Sequence, residues 1–400
     1  MLSLRPEQPT TQVFQFSTQA LRNEEGGEFR ISRSGNRPRM TLQYDYLLTT
    51  DDRIRSFTIN QRNALHTLVD VPLWHEEVLI DSINNRAIRG DFSKSDIDIG
   101  SDIILSDFPE TFEKHEVTAK TDTQITVKDV VDGRFKRNDG VVPVVSVRRL
   151  QNGENLYQPV GASNHTFVGT AEVNENIGGY GASSIERLNG LPYLNRRPRA
   201  VRGVSKIYEQ FPQVFDAGPH SRITIITEQD YSNVVTPVEF KYGNEADKQW
   251  FKAFFNELEG AGNSFYHPTY LPDIVPVVIA TDRRSMTVSQ DTSGTLQFAE
   301  DQYLLFKMEN GAEHILQVNR IISSPDNPVV ELGSAIPAGN VSVVSFIPEV
   351  RLSNAETITF RHHLGYGFVN FVITTIIQEL APIFEGKSFG RDWGDSFNRI

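Results

Sequence analysis

One order of residue patterns occurs twice in this 400-residue chain, and that repetition limits the possible folds more than any other feature. In the first half, Phe14-Gln15-Phe16, Glu28-Phe29-Arg30-Ile31 and Met40-Thr41-Leu42-Gln43-Tyr44 alternate apolar with polar residues. That period of two belongs to strands with one wet face. Gly26-Gly27 and Ser34-Gly35-Asn36 supply turn chemistry between them. The period then changes: Thr50 or Asp51 caps a helix expected to reach about Val69, with Ile54, Phe57, Ala64, Leu65 and Leu68 near one face. Pro72-Leu73-Trp74 ends it.

The second half follows the same order. Lys206-Ile207-Tyr208, Ser221–Ile225 and Pro237–Tyr242 read as strands, the last resembling Pro38–Tyr44 in its leading proline and alternation. Asn244 caps a helix from Glu245 to about Leu258, whose apolar side is Trp250, Phe251, Phe254, Phe255 and Leu258. Phe265-Tyr266 and Tyr270-Leu271-Pro272 stand where Pro72-Leu73-Trp74 stood. Chance does not readily give the same elements in the same order twice, so the chain reads as an internal duplication.

Each copy is expected to continue into a different β-rich insert. The first contains Ile103-Ile104-Leu105, Gln124–Val127, Val141–Val147 and His165–Val168; the second contains Met286–Val288, Tyr303–Phe306, His314–Val318, Val329–Leu332 and Val341–Phe346. Lys307–Gly311 is a hairpin signal, and Glu356–His362 with Phe368–Ile376 form a closing strand pair. The fold class is therefore mainly β: two β-barrel or sandwich modules, each with one short helix, plus small β-barrel inserts. The divisions are module 1 at 1–75, a β-barrel insert at 76–188, a linker at 189–204, module 2 at 205–274, an insert with closing strands at 275–384, and a C-terminal arm at 385–400. In that arm Phe389, Trp393 and Phe397 are candidate subunit contacts, against the plainer reading of a frayed end.

Composition narrows the chemistry. Twenty-five Phe and 12 Tyr against 4 Met favour sheet surfaces over helix interiors. No cysteine is present, which removes disulfides, thiolate metal sites, iron–sulfur ligation and cysteine nucleophiles. A formal charge of −12 argues against broad attraction to nucleic acid or anionic membrane, although Arg196, Arg197, Arg199 and Arg202 form a local basic group. Met1–Gln8 has no apolar core for a signal peptide, and the apolar run at Phe368–Ile377 is too short for a membrane helix, so a protein made in a cytoplasm is expected.

Catalytic signatures are missing: no phosphate-binding glycine loop followed by lysine, no nucleophile elbow. The glycine-rich Ile177–Ser184 reads as a loop. His362-His363 would point to opposite faces of a strand and so could share a metal only through subunit symmetry; a core or surface role is the plainer assignment. Ser93–Asp102 lacks the glycine and terminal glutamate of a calcium loop. Glu76-Glu77 and Asp51-Asp52 are scattered carboxylate pairs with nothing to fix a glycosidase separation. Phe251–Phe255 and Phe265–Tyr270 are expected to be core, with a sugar platform as the alternative. Thus no catalytic, cofactor-binding or metal residues are assigned.

The strand order, the Pro-led strand ending in Tyr44, the helix, Leu73-Trp74 and the closing pair Thr357–Phe360 and Phe371–Thr374 resemble the N-terminal region of phage tail-tip proteins, the distal tail and baseplate-hub family of long-tailed phages. The resemblance implies a tail-tube-like hub fold and a non-enzymatic virion component. It also implies a ring, trimer favoured over hexamer, whose two modules per chain match a six-fold tube to a three-fold tip. Implied partners are copies of the chain itself, the tail tube protein, other tail-tip, fibre or receptor-binding proteins, and passive DNA in the channel. No cofactor is implied here, since the iron–sulfur cluster of some members needs cysteines. The expected location is the virion tail tip after synthesis in the host cytoplasm. A carbohydrate- or receptor-binding module is the alternative, and a tail-associated hydrolase a weaker third.

Overall fold

A computed structural model describes residues 10–16, 18–22, 28–32, 38–48, 69–107, 112–149, 156–159, 165–173, 185–199, 207–209, 213–215, 224–226, 233–289, 300–322, 328–353, 357–363 and 366–375. The protein is mainly β, as its alternating patterns require.

Module 1 begins with β1 (Thr10–Gln15), a hairpin of β2 (Thr18–Arg22) and β3 (Glu28–Ser32), and the long β4 (Arg39–Leu48). The helix expected over 50–69 lies outside the described residues except for Val69, which already belongs to β5 (Val69–Pro72). Six strands of the insert follow: β6 (Val78–Leu79), β7 (Ser82–Asn84), β8 (Ala87–Arg89), β9 (Asp102–Ser106), β10 (Phe112–Thr121) and β11 (Gln124–Val127). Then β12 (Gly140–Arg149), β13 (Leu156–Pro159) and β14 (His165–Val173) return to the module. The boundary expected at residue 188 is thereby corrected. β14 pairs with β4 along eight rungs from His165↔Leu48 to Glu172↔Thr41, and the end of β12 pairs with β5, so these strands close module 1. Alternation alone does not say which earlier strand a returning strand will join.

The segment expected to be a linker is a packed strap. It forms a small hairpin, β15 (Arg187–Leu188) with β16 (Leu191–Pro192). It then lays Leu194 into the core, with its N–H donating to the Tyr266 carbonyl at 2.9 Å.

Module 2 repeats module 1 strand for strand: β17 (Ile207–Glu209), the hairpin β18 (Gln213–Phe215) and β19 (Thr224–Ile226), β20 (Asn233–Tyr242), helix α1 (Glu245–Leu258) and β21 (Phe265–Tyr266). After β22 (Pro276–Ile279), β23 (Ser285–Val288), β24 (Tyr303–Met308), β25 (Glu313–Ile322), β26 (Val329–Leu332) and β27 (Val341–Ile347), it closes with β28 (Glu349–Leu352), β29 (Thr357–His363) and β30 (Tyr366–Thr375). The pairings coincide as well as the order. β1–β4, β4–β14, β13–β14, β12–β14 and β5–β12 have counterparts in β17–β20, β20–β30, β29–β30, β28–β30 and β21–β28. The rungs place Val13↔Thr41↔Glu172 in one copy and Ile207↔Val235↔Thr374 in the other. Counting from Thr41 and Val235, Gln43 rather than Pro38 corresponds to Pro237. The leading-proline match is therefore coincidental.

The inserts, expected to differ, share one topology. β7–β8–β11–β10–β9–β12 and β22–β23–β26–β25–β24–β27 are the same six-strand order. Both break register at the same place, between Val117 and Ala119 in β10 and between Val318 and Arg320 in β25, and the second has two further shifts, at Pro276/Val278 and Lys307/Met308. The buried cores correspond too: Ile88, Leu105, Val117, Ile125 and Val141 in the first, and Met286, Phe306, Val318, Val330 and Val344 in the second. Identities changed while burial stayed fixed, which is why residue comparison missed the match. Only Pro348, which has no N–H to donate, interrupts in the second copy the run that β12 makes continuously in the first.

Helix α1 forms where the pattern places it. Asn244 accepts from the Asp247 N–H at 2.8 Å, and Glu259 ends the helix in the left-handed region at φ 52°. Phe251, Phe254, Phe255 and Leu258 are buried, and Trp250 half-buried, with Phe255 4.9 Å from Phe371 and Phe254 5.3 Å from Phe265 between ring centroids. Removing the cap tests how far this helix depends on local chemistry. Asn244→Ala should lower stability by about 1 kcal/mol in urea denaturation, with an unchanged m-value.

Candidate functional site: the joint between the modules

The two modules share one sheet. β1 lies between β4 and β29, paired antiparallel with β29 from Thr10↔His362 to Gln15↔Thr357. The neighbouring order is therefore β13–β14–β4–β1–β29–β30–β20–β17, an eight-strand strip. One face of it carries Phe14, Met40, Leu42, Val238, Phe240, Phe360, Val369 and Phe371 into a single core spanning both modules. Phe14 of module 1 meets Phe360 of module 2 edge to face, 5.6 Å between centroids. The opposite face is partly to fully exposed: Thr11, Gln15, Thr41, Gln43, Thr357, Thr359, Asn370 and Thr374 are neutral and polar, Val13, Phe368 and Val372 are apolar, and Arg39, Arg361, Lys241 and Glu239 are charged.

Buried ions sit beside this joint. Glu76, in the 3-10 turn Trp74–Glu76 after β5, accepts from Lys248 Nζ at 2.7 Å and from Lys252 Nζ at 2.8 Å. Lys252 also reaches Asp96 of the first insert at 2.5 Å, and Lys248 reaches Glu245 at 2.7 Å. Gln249 Nε2 donates to Asp96 Oδ1 at 2.9 Å and to the Lys94 carbonyl at 2.8 Å. Lys248, Lys252 and Glu76 are each at most 4% exposed. Burial by itself raises the Glu76 carboxyl, but the two ammonium groups outweigh it and hold the group well below the usual carboxylate range. The network ties module 1, its insert and module 2 to one another.

Two histidines complete the joint. His75 and His362 stack at 4.0 Å between centroids, and both are buried. His362 Nδ1 is 2.7 Å from Tyr242 Oη and its Nε2 is 3.1 Å from Gln12 Oε1, while among the described residues neither ring nitrogen of His75 makes a hydrogen bond, its Nε2 standing 3.5 Å from Glu76 Oε1. Burial drives His75 down to about 3 and His362 well below its ordinary value, with the nearby lysines adding to the effect. His267, hydrogen-bonded at 3.2 Å to the Leu194 carbonyl, is lowered by burial to about 4.

The sequence candidates fall out as follows. His362 and His363 do face opposite sides: His363 stacks on Tyr366 at 4.9 Å, away from the joint. Glu76 is a network anchor, Glu77 is half-buried nearby, and Asp51-Asp52 lie outside the described residues. The Ser93–Asp102 loop docks on α1 through Lys94 and Asp96. Phe251, Phe254, Phe255 and Phe265 are core, which leaves them unavailable as a sugar platform. Arg196 pairs with Asp247 at 2.8 Å and lies 4.5 Å over the Trp250 ring, and Arg199 lies 5.0 Å over Phe368. Arg202, Ile177–Ser184 and Phe389, Trp393 and Phe397 lie outside the described residues. The joint residues Gln12, His75, Lys248 and Lys252 were not singled out from sequence, and Asp96 was named only within the loop Ser93–Asp102. One signal was present: Lys248 and Lys252 share the apolar side of an otherwise aromatic helix face. Among the described residues, no group of three His, Asp or Glu could hold a metal ion, and no helix is long and apolar enough to cross a membrane.

These features define a mainly-β tandem repeat fused through one sheet. Comparison with protein-family models and with curated proteins gives no match for the chain.

The joint makes two predictions. Glu76→Gln takes from two buried ammonium groups the carboxylate they share, leaving Lys248 with Glu245 and Lys252 with Asp96, and should cost up to about 3–5 kcal/mol in chemical denaturation. Lys252→Met in the same background should cost less than it does alone, because the two changes remove one interaction. Acid should act through the histidines. Their folded values lie below the unfolded value of 6.5, so the unfolded chain binds more protons and stability rises with pH. The contribution is whole above pH 6.5 and is lost as pH falls from there toward about 4, where His267 begins to charge in the folded state. The expected slope is about 1.4 kcal/mol per pH unit for each buried histidine. Denaturant midpoints at pH 7.5, 6 and 5 measure it, and His267→Phe should reduce the slope by one histidine's share.

Proposed function

We propose that the chain is a structural component of a phage tail tip, a baseplate-hub or distal-tail protein with no catalytic activity. It acts as a ring that joins the tail tube to the central spike, fibres or receptor-binding proteins, and it resides in the virion after synthesis in the host cytoplasm. The observation that carries this reading is the eight-strand strip formed by two topologically equal modules, with core on one face and a mixed, largely polar face on the other.

A curved strip with two unlike ends invites closure into a barrel by rotation. With strands ~4.7 Å apart and tilted about 40°, three strips of eight strands give a barrel roughly 47 Å across at the backbone. Two strips give roughly 31 Å by the same geometry, which inward side chains reduce to a narrow pore. Three copies leave room for a DNA duplex, which favours a trimer with six equivalent walls. The described charges on the wall that faces such a channel are Arg39, Lys241 and Arg361 against Glu239, so that wall is not acidic although the chain carries a net charge of −12. Most of its polar positions are hydroxyls and amides, which offer DNA few phosphate contacts to oppose sliding.

Light scattering and negative-stain microscopy test the reading. The purified chain, or the tip particle containing it, should give a ring of three copies with a central channel. A protein that stays a single chain both in solution and in the particle, or one that hydrolyses cell-wall polysaccharide, overturns it.

A further inference from the structure

The strip is unfinished at both ends in one particular way. Among the described residues, β13 pairs only with β14 and β17 only with β20. These two strands are the counterparts of the pair that already forms the internal joint. β17 corresponds to β1, since Ile207↔Val235 repeats Val13↔Thr41. β13 corresponds to β29, since Leu156↔Val168↔Asp45 repeats Thr359↔Asn370↔Glu239. Asp45 and Glu239 stand four residues past Thr41 and Val235, so both correspondences use one alignment.

We infer that a second copy of this chain docks edge to edge on the strip, its β13 pairing antiparallel with β17 in the register that sets Leu156 opposite Ile207. The inference rests on the ring reading above and specifies the joint that closes it. The internal joint supplies the geometry, because Val13 lies opposite Thr359 there. It also explains why both edges are left unpaired: exposed strand edges template pairing with another chain, and here the complementary edge belongs to a copy. The two joints differ in one respect. The position that corresponds to Glu76 is Pro272, because the Thr269 N–H donates to the Phe346 carbonyl as the Leu73 N–H does to Pro143, so the carboxylate at the centre of the internal ion network has no counterpart between chains. The contact between chains is therefore the one that forms and parts during assembly.

Because the chain has no cysteine, engineered thiols report without background. Leu156→Cys with Ile207→Cys, oxidised in the full-length protein, should give disulfide-linked chains that end in a discrete closed species of three. Peptide mapping should locate the bond between positions 156 and 207. Val13→Cys with Thr359→Cys is the control and should close within one chain, leaving the mass of a monomer. Free thiols at 156 and 207 alongside a closed control overturn the joint. The parent protein separates the two failures: rings of three without this cross-link leave the ring reading intact and sink the joint, whereas a persistent single chain, alone and in tip particles, sinks both. Hydrogen exchange on the unmodified chain guards against misfolded variants. Amides at Ile207–Glu209 and Leu156–Pro159 should gain protection in the assembled form and lose it on dilution, and unchanged exchange counts against the joint.

Discussion

The pairing of β1 with β29 brings the first strand of one module and a late strand of the other side by side across nearly the whole chain. Such a ladder carries a large loop-closure cost, and it persists because the same contact merges two apolar faces into one core. Without it, Phe14 and Phe360 would each border solvent at a module edge, and burying a phenylalanine contributes roughly 1.5–3 kcal/mol. The strip and the shared core follow from this one antiparallel contact.

The ion network beside the joint serves a different purpose from the core. A buried ion pair seldom adds much stability over apolar packing, because desolvation offsets the Coulomb attraction. Its effect is directional: Glu76 satisfies two lysines, and Lys252 also needs Asp96, so only one arrangement of module, insert and helix leaves no buried charge alone. Apolar contacts tolerate small rotations of one module against the other, whereas this network does not. The neutral, stacked His75 and His362 fit the same setting, since a protonated ring there would face two ammonium groups.

Duplication explains the division of labour in the chain. Each copy carries a module that contributes to the strip and a six-strand insert that does not. The inserts kept their strand order, bulge and buried positions while their residues changed, because packing fixes volume and polarity at core sites far more tightly than identity. Their exposed surfaces were free to diverge.

Local chemistry settled much of this in advance. Alternation along β1, β4, β29 and β30, the Asn244 cap, the aromatic side of α1 and the hairpin at Gly311 were legible because they depend on neighbours within a few residues. The duplication was legible in the modules for the same reason. What needed the tertiary structure was every contact between distant segments: that β13 and β14 close module 1, that the inserts share a topology, and that Lys248 and Lys252 are buried against Glu76 and Asp96. Periodicity fixes which face of a strand is apolar, but it carries no information about which strand lies alongside. That choice is made by the summed burial and hydrogen bonding of the whole sheet, and it becomes visible only when the chain has folded.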